Sequence, residues 1–262
     1  MDLSLLHQAA APAGLTLRGG FHPAASDGVP PLPDGRPVET LVLLGFVGQA
    51  GWDRFAAEPE AADGAPDPLD RWSRRVIGVL ARQFDAIACF PFGGPPYLPF
   101  GRWAQRAEPV HPSPLGLLIH PDWGLWHSYR GALGFAEKLG LPAPDRPTSP
   151  CIGCSRPCLA ACPVGAFGPA GYDVPRCVDL LDSPAGNDCL SNGCRARRAC
   201  PVAPTVQYGP VQASFHMAAF HTAQARRSRE GPGTTVCIAA SPLLRYTRRK
   251  QYGARQRPKW SF

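Results

Sequence analysis

Cysteine spacing is the feature that most constrains what this chain can fold into. Of the ten cysteines, eight lie between residues 151 and 200. Two blocks, CIGCSRPCLAACPVG at 151–165 and CLSNGCRARRACPV at 189–202, each contain a Cys-Pro pair near their end, and a lone Cys177 precedes the second block. A [4Fe–4S] cube needs four thiolates, and in two-cluster runs the cysteine before proline binds the other cluster. The spacing therefore predicts two [4Fe–4S] clusters.

The same crossing rule assigns all eight cysteines to ligand sets. The first block spaces its cysteines by two, three and three residues, and the second by four and five, which is longer than the usual run. Cys89 and Cys237 remain unused. The predicted sets are Cys151, Cys154, Cys158 and Cys200 for one cluster, and Cys162, Cys177, Cys189 and Cys194 for the other.

Two other uses of dense cysteines compete with this interpretation. A disulfide framework is typical of small secreted chains, whereas this chain has 262 residues and its first residues lack the pattern of a secretory leader. Zinc sites with four cysteines normally contain paired C-x2-C motifs, and only Cys151 and Cys154 have that spacing. Free thiolates that bind iron imply a reducing compartment, so we expect a cytoplasmic protein.

Positive charge is concentrated at the C-terminal end. Residues 226–262 hold ten Lys and Arg and one acid, whereas the remaining residues hold 17 basic and 19 acidic side chains, a net charge of −2. A basic segment with interleaved aromatics can contact nucleic acid or an acidic redox partner, but a solvated tail has the same composition. Both interpretations stay open. No run of eighteen apolar residues occurs, so we expect no membrane span.

Apolar patterning before residue 150 predicts alternating strands and helices. Asp67 and Pro68 are expected to begin a long helix whose core residues are Leu69, Trp72, Val76, Val79, Leu80 and Phe84. The predicted elements are a helix at 2–11, a loop to about residue 38, a strand at 39–46, helices at 50–57 and 67–84, a strand at 85–90, an irregular loop at 90–103, and two apolar runs within 116–135 joined by a turn at 121–124.

Several of these segments resemble cobalamin-processing enzymes of the CblC type. The segments are LVLLGF at 41–46, GWDRF at 51–55, DPLDRW at 67–72 and, above all, LLIHPDWGLWHSYRGAL at 117–133. The same IHP-x-x-G-x-W core followed by the cysteine blocks is similar to epoxyqueuosine reductase. The resemblance covers residues 39–220 and implies an α+β fold: a nitroreductase-like, corrinoid-binding domain followed by a small ferredoxin-like module with two clusters.

The resemblance also implies boundaries and a cofactor site. We expect domains at 1–145 and 146–222 and a basic, partly disordered tail at 223–262. The N-terminal domain would hold cobalamin or a flavin. The residues expected to contact it are His120, Trp123, Trp126, His127 and Arg130, with Phe92, Tyr97 and Trp103 as further lining. Within the cysteine region, the lone Arg176-Cys177 matches a ligand of the second cluster in epoxyqueuosine reductase.

These features predict an iron–sulfur redox protein whose clusters pass electrons to a corrinoid or flavin. The reaction would be reduction of cobalamin or removal of its upper ligand, with an electron donor of the flavodoxin or ferredoxin reductase type. Arg195, Arg197 and Arg198 would tune the potential or form a docking rim for that donor. Two alternatives stay open: a ferredoxin-type carrier without a catalytic site, or a tRNA-modifying reductase. The segment before the IHP core lacks the Gly-Lys of epoxyqueuosine reductases, and Glu108 is its only acid.

Overall fold

A computed structural model describes residues 2–143 and 145–230 of the protein. It contains helices and small antiparallel sheets, so the predicted α+β class is confirmed at that level. Residues 231–262, which include Cys237 and most of the predicted basic tail, lie outside the described residues. None of the described helices is both long enough and apolar enough to cross a bilayer.

The described residues form ten α-helices and eight strands. The helices are α1 Leu3–Ala10, α2 Ala50–Ala56, α3 Pro59–Ala62, α4 Pro68–Gln83, α5 Phe100–Ala107, α6 Pro157–Ala160, α7 Val174–Leu181, α8 Asn187–Asn192, α9 Arg195–Arg198 and α10 Pro210–Glu230. The strands are β1 Thr16–Phe21, β2 Thr40–Val47, β3 Ile87–Cys89, β4 His111–Pro112, β5 Leu118–Ile119, β6 His127–Phe135, β7 Phe167–Gly168 and β8 Gly171–Tyr172.

A four-stranded sheet with the order β1-β2-β6-β3 organises the N-terminal part. Every neighbouring pair is antiparallel, and the longest pairing joins β2 to β6 from Thr40↔Phe135 to Val47↔His127. The predicted strand–helix–strand start is confirmed as β2, α4 and β3. The two strands are not neighbours, however, because β6 lies between them.

Both faces of β2 are buried, which explains its continuous apolar sequence. Leu41 and Leu43 pack on one face against α5, while Val42 and Leu44 pack on the other face with α1, α2 and α4. This alternation follows from the two-residue period of a strand. The sheet is therefore the middle layer of the N-terminal part.

The long predicted helix is confirmed as α4, with two corrections. Val79 is 48% exposed rather than part of the core, because the helix turns it away from the buried stripe that holds Trp72 and Ile77. Asp67 occupies the N-cap position but its side chain makes no capping hydrogen bond, since its backbone is left-handed with φ of 52°.

Two regular elements lie in segments predicted to be irregular. β1 falls within the predicted loop that precedes residue 38, where Gly19 and Gly20 weaken the strand pattern and a bulge interrupts the pairing with β2. α5 begins at Phe100, inside the predicted loop at 90–103, and Pro99 is its N-cap residue.

The cysteine region is built from short helices held by one long helix. α6 contacts α9, and α10 packs mainly along α8 and also touches α7. Through Phe215, α10 reaches Trp52 and Phe55 of α2, with ring centroids 4.9 and 5.9 Å apart. α10 also continues past residue 223, where the tail was predicted to begin. The long helix thus connects the cysteine region to the sheet layer.

A glycine turn forms a second junction between the two regions. Gly124 follows the β5 strand with φ of +55°, and a Cβ at this position would overlap the carbonyl oxygen of Val202, next to the Cys200-Pro201 pair. Gly116 has a similar backbone, with φ of +72°, but a Cβ added there would meet no atom within 4 Å. Comparing substitutions at Gly124 and Gly116 therefore separates the cost of a positive φ, which both positions share, from the cost of the close contact, which only Gly124 has.

We expect Gly124→Ala to destabilise the protein more than Gly116→Ala. Both substitutions place a side chain at positive φ, at a cost of about 1–2 kcal/mol. Only Gly124→Ala adds overlap with the cysteine segment, for a further cost of about 1–3 kcal/mol. Anaerobic chemical unfolding of the two variants and the parent chain measures the difference. Equal losses of stability would show that the turn does not hold the cysteine region.

Candidate functional site

Four of the eight clustered cysteines line one cavity, and we call them the first quartet: Cys151, Cys154, Cys158 and Cys200. Burial raises the pKa of the Cys158 thiol, and the neighbouring charges of Cys200 and Cys154 raise it further. The same charges act on Cys151. The cavity is closed on the sheet side by Leu115, Ile119 and Leu125. The first quartet therefore faces the N-terminal part of the chain.

The other four cysteines form the second quartet: Cys162, Cys177, Cys189 and Cys194. Burial raises the pKa of Cys177, and the charges of Cys162 and Cys189 add to the effect. Cys194 responds in the same way to Cys189 and Cys177. Cys177 and Cys189 pack with Leu180 of α7 rather than with the sheet layer. The quartets coincide with the two sets predicted from spacing, while their ligand roles stay predictions.

Hydrogen-bond donors surround the sulfur atoms of both quartets. The backbone N–H of Arg156 donates to Cys154 Sγ at 3.4 Å, and that of Ala166 donates to Cys162 Sγ at 3.3 Å. Such donors stabilise an anionic sulfur. Across the described residues, no group of three or more His, Cys, Asp or Glu side chains is arranged to hold a metal ion. Ligands of a cube bind different iron atoms, so they need not meet at one point.

A side-chain hydroxyl also reaches the second quartet. Tyr172 on β8 donates to the Cys177 sulfur and stacks on Phe167, with ring centroids 4.6 Å apart. Cys177 itself lies on α7, whose first turn is capped by the Asp173 carboxylate accepting from the N–H of Arg176 at 3.0 Å. The β7–β8 hairpin and the cap of α7 together fix this contact.

One of the three arginines expected to form a docking rim is turned away from the surface. Arg197 is turned inward: its guanidinium lies 4.7 Å from the Trp126 ring and 4.5 Å from the Tyr208 ring, and it donates to the Leu125 carbonyl. Arg198 pairs with Asp188, and Arg195 lies 3.6 Å from the same carboxylate. The rim prediction is therefore wrong for Arg197, because aromatic faces and a carbonyl of the N-terminal part hold it.

A buried polar cluster lies behind the turn at 121–124. Arg18 is fully buried and binds both oxygens of the Glu108 carboxylate, at 2.6 and 3.1 Å. Tyr129 donates its hydroxyl to the same carboxylate. Burial raises the pKa of Glu108 against the opposing charge of Arg18. The guanidinium also lies 4.6 Å from the Trp123 ring, so it joins the carboxylate to the turn.

Two of the predicted cofactor residues belong to this cluster as neutral imidazoles. His127 accepts from Arg18 at Nδ1 (3.0 Å) and donates from Nε2 to the Leu118 carbonyl (3.0 Å), while burial and the Arg18 charge lower its pKa to about 3. His120 stacks on Trp123 with ring centroids 3.9 Å apart, and burial lowers its pKa to about 4. At neutral pH both imidazoles are therefore uncharged, and they take part in the stacking and hydrogen bonds that stabilise the fold.

The predicted cofactor residues do not form one cluster. His120, Trp123 and His127 lie with Arg18, whereas Trp126 lies against Tyr208. Arg130, the fifth residue, pairs with Asp70 at 2.5 Å. Among the other lining predictions, Trp103 of α5 is fully buried in the core and Tyr97 is 61% exposed. The cofactor role of the five residues is untested by these contacts and stays a prediction.

Sequence reasoning did not find three participants. Arg18 lies in a segment predicted to be a loop, and Tyr208 and His216, whose rings lie 5.4 Å apart, follow Cys200 without any motif. The one available signal was Glu108, because a single acid in an apolar segment needs a buried partner. Its partner lies 90 positions away in the chain, so no local pattern identifies it.

We expect Arg18→Met to cost about 3–5 kcal/mol of unfolding free energy, because it leaves the buried Glu108 carboxylate without its counter-charge. Arg36→Met is the matched control, since Arg36 is 64% exposed and its pair with Asp34 is a surface pair worth about 0–1 kcal/mol. Denaturant titration of both variants measures the costs. Equal small costs would show that the buried pair is not required for stability.

Comparison with known proteins finds only distant similarity to solved structures. No family model matches the chain, and no curated protein matches it. An epoxyqueuosine reductase from Streptococcus thermophilus is similar with a TM-score of 0.49 and 14% identity, covering 81% of this chain and 70% of that one. The Bacillus subtilis enzyme has a TM-score of 0.43 and 15% identity, covering 78% and 67%.

A third solved structure is an epoxyqueuosine reductase with a tRNA-Tyr epoxyqueuosine-modified tRNA stem loop. Its TM-score is 0.46 with 15% identity, and the match covers 79% of this chain. The chain spans 66% of the length of that protein. These three solved structures carry the name of the second family whose motifs the sequence resembles.

Proposed function

We propose that the protein is an iron–sulfur oxidoreductase that carries electrons through two [4Fe–4S] clusters to an acceptor in its N-terminal domain. One observation carries the proposal: the eight thiols lie as two quartets, and each quartet takes its Cys-Pro cysteine from the other sequence block. That exchange is the arrangement of two-cluster ferredoxin-type modules. We therefore assign residues 146–222 to such a module and residues 1–145 to a nitroreductase-like domain.

The donor set fits iron–sulfur cubes better than single metal ions. Each quartet offers four thiols, and the N–H and O–H donors around them suit sulfur that carries negative charge. When bound, the clusters supply one-electron transfer. Cys154, Cys158 and their partners would hold the group nearest the sheet layer, while Cys177, Cys189 and their partners would hold the other group, against α7.

The positions of the quartets give a direction to electron flow. The first quartet is separated from the buried polar cluster by Ile119 and Leu125, so the acceptor belongs on this side. The second quartet lies toward α7 and α8, where an electron donor protein of the flavodoxin or ferredoxin reductase type would dock.

Two classes of acceptor are compatible with this arrangement. The first is a corrinoid or flavin held by the N-terminal domain, for reduction of cobalamin or removal of its upper ligand. The second is a modified base in tRNA, the substrate class named for one similar structure. Anaerobic binding of hydroxocobalamin, FMN and a tRNA stem loop distinguishes them. A protein that binds none of the three would be a ferredoxin-type carrier.

Metal analysis of the anaerobically purified chain tests the cluster proposal. We expect about eight iron and about eight acid-labile sulfide atoms per chain, since each cube holds four of each. Cys154→Ser and Cys177→Ser each remove one ligand of a different quartet, and each should lower the iron content by about half. Cys89→Ser is the control, because Cys89 is buried in β3 and belongs to neither quartet. Zinc in place of iron, or full iron in Cys177→Ser, would contradict the assignment.

We expect Tyr172→Phe to lower the reduction potential of the second cluster. The substitution removes a hydroxyl that donates to Cys177, and hydrogen bonds to ligand sulfur stabilise the reduced, more negative state. Redox titration followed by electron paramagnetic resonance measures the potential of each cluster. Tyr97→Phe, at an exposed position, is the matched control. An unchanged potential with full iron content would exclude a tuning role for Tyr172.

A further inference from the structure

A cleft of about 350 Å³ lies between the start of α4 and helix α10. Leu69 and Phe215 belong to its apolar lining, and Ala219 and Ala223 line it along α10. Both alanines are exposed, so the cleft is open to solvent. Pockets that bind small molecules occupy about 300–1,000 Å³. The cleft is at the lower end of that range and has room for a few apolar side chains.

The buried polar groups of the cleft either have a partner or carry no charge. The Arg130 guanidinium donates to Asp70 Oδ1 at 2.5 Å. Burial lowers the pKa of His216 to about 4, so this imidazole is neutral at neutral pH. The other two charged lining residues, Asp67 and Arg226, are exposed. An apolar segment can therefore cover the cleft without burying an unpaired charge, which is the costly case.

Helix α10 presents an uncharged surface to the cleft. Residues 210–225 contain no Asp, Glu, Lys or Arg. Ala218, Ala219, Thr222 and Ala223 are nevertheless exposed, and all four line the cleft. A surface helix normally places charged and polar residues on the face that meets water. An uncharged face beside a cleft indicates that another element packs there.

The sequence directly after α10 is the candidate for that element. α10 ends at Glu230, and Gly-Pro-Gly follows at 231–233. Glycine and proline directly after a helix end it and let the chain change direction. The next eleven residues, TTVCIAASPLL at 234–244, contain no charged side chain, although ten Lys and Arg lie on either side of them within 226–262. Disordered segments are poor in apolar residues and rich in charge, so this apolar run has the composition of a segment that packs.

The apolar run is long enough to reach the cleft. Glu230 lies eleven positions after Ala219. That separation is about 17 Å along a helix that rises about 1.5 Å per residue. An extended chain covers about 3.3 Å per residue, so the residues from 231 to 236 span about 20 Å. Val236 and Ile238 can therefore return along α10 to the level of Ala219.

We propose that residues 234–244 fold back along α10 and fill this cleft in the same molecule. Val236 and Ile238 supply the apolar side chains that pack against Leu69, Phe215 and Ala219. The basic residues that follow the apolar run then start from a fixed point beside α4 rather than from the free end of α10. The proposal goes beyond the two-cluster function and does not depend on it.

Hydrogen exchange of the full-length protein, measured by mass spectrometry, tests the contact. We expect the amides of residues 234–244 to exchange at least tenfold more slowly than those of an unstructured chain, because a packed segment exchanges only after it opens. Ala219→Trp fills the cleft and should remove this protection. Ala225→Trp is the matched control, since Ala225 is exposed on α10 and does not line the cleft.

A charge placed in the apolar run tests the same contact from its other side. Ile238→Asp puts a carboxylate where the proposal places an apolar side chain, and it should speed the exchange of residues 234–244 at least tenfold. Gln251→Asp, outside the apolar run, should leave the exchange at the parent rate. Far-UV circular dichroism of each variant checks that the helices are retained.

Three outcomes overturn the proposal: exchange of residues 234–244 in the parent at the rate of an unstructured chain, equal protection in the two tryptophan variants, or protection that is lost on dilution. The last outcome would mean that the segment of a second copy fills the cleft. Iron is measured in the same samples. Protection in a chain without iron overturns the cluster proposal alone, and full iron content without protection overturns the docking proposal alone.

Discussion

The convergence of eight thiols into two quartets is the constraint on which the rest of the molecule depends. Cys162 and Cys200 each join the quartet made mainly by the other sequence block, so neither quartet can form unless both blocks pack together. The short helices around them bury little apolar surface, and small modules of this kind need metal or other cross-links for stability. α10 and the Gly124 turn then hold the packed blocks against the sheet layer.

A buried ion pair holds elements of the N-terminal part together, as the thiol quartets do in the cysteine region. Arg18 contacts Glu108, His127 and the Trp123 ring. One guanidinium therefore holds strand β1, the end of helix α5 and the turn beside the first quartet in fixed positions relative to one another. A buried ion pair of this kind is costly to desolvate and gains stability only when every donor is satisfied. Arg18 meets that condition with the Glu108 carboxylate, the Phe46 carbonyl and the imidazole.

Arg197 and α10 show how the two regions pack against each other. The arginine belongs to the cysteine region by sequence, yet its guanidinium lies between Trp126 and Tyr208. Helix α9 thereby contacts an aromatic pair, and the Tyr208 ring of that pair lies 5.4 Å from the His216 ring of α10. A domain interface with buried aromatic and cationic contacts favours a fixed relative position over free movement. A fixed position of this kind is what the proposed electron transfer between the two regions requires.

The sequence by itself determined the grouping of the cysteines, the buried strand β2 and the amphipathic helix α4, because spacing, the Cys-Pro pairs and apolar periodicity are local signals. Only the tertiary structure decided that Arg18 pairs with Glu108 and that Arg197 faces inward. It also decided that His216 and Arg130 share a cleft. These contacts join residues far apart in the chain, and their energies depend on burial and charge neutralisation, which no local pattern encodes.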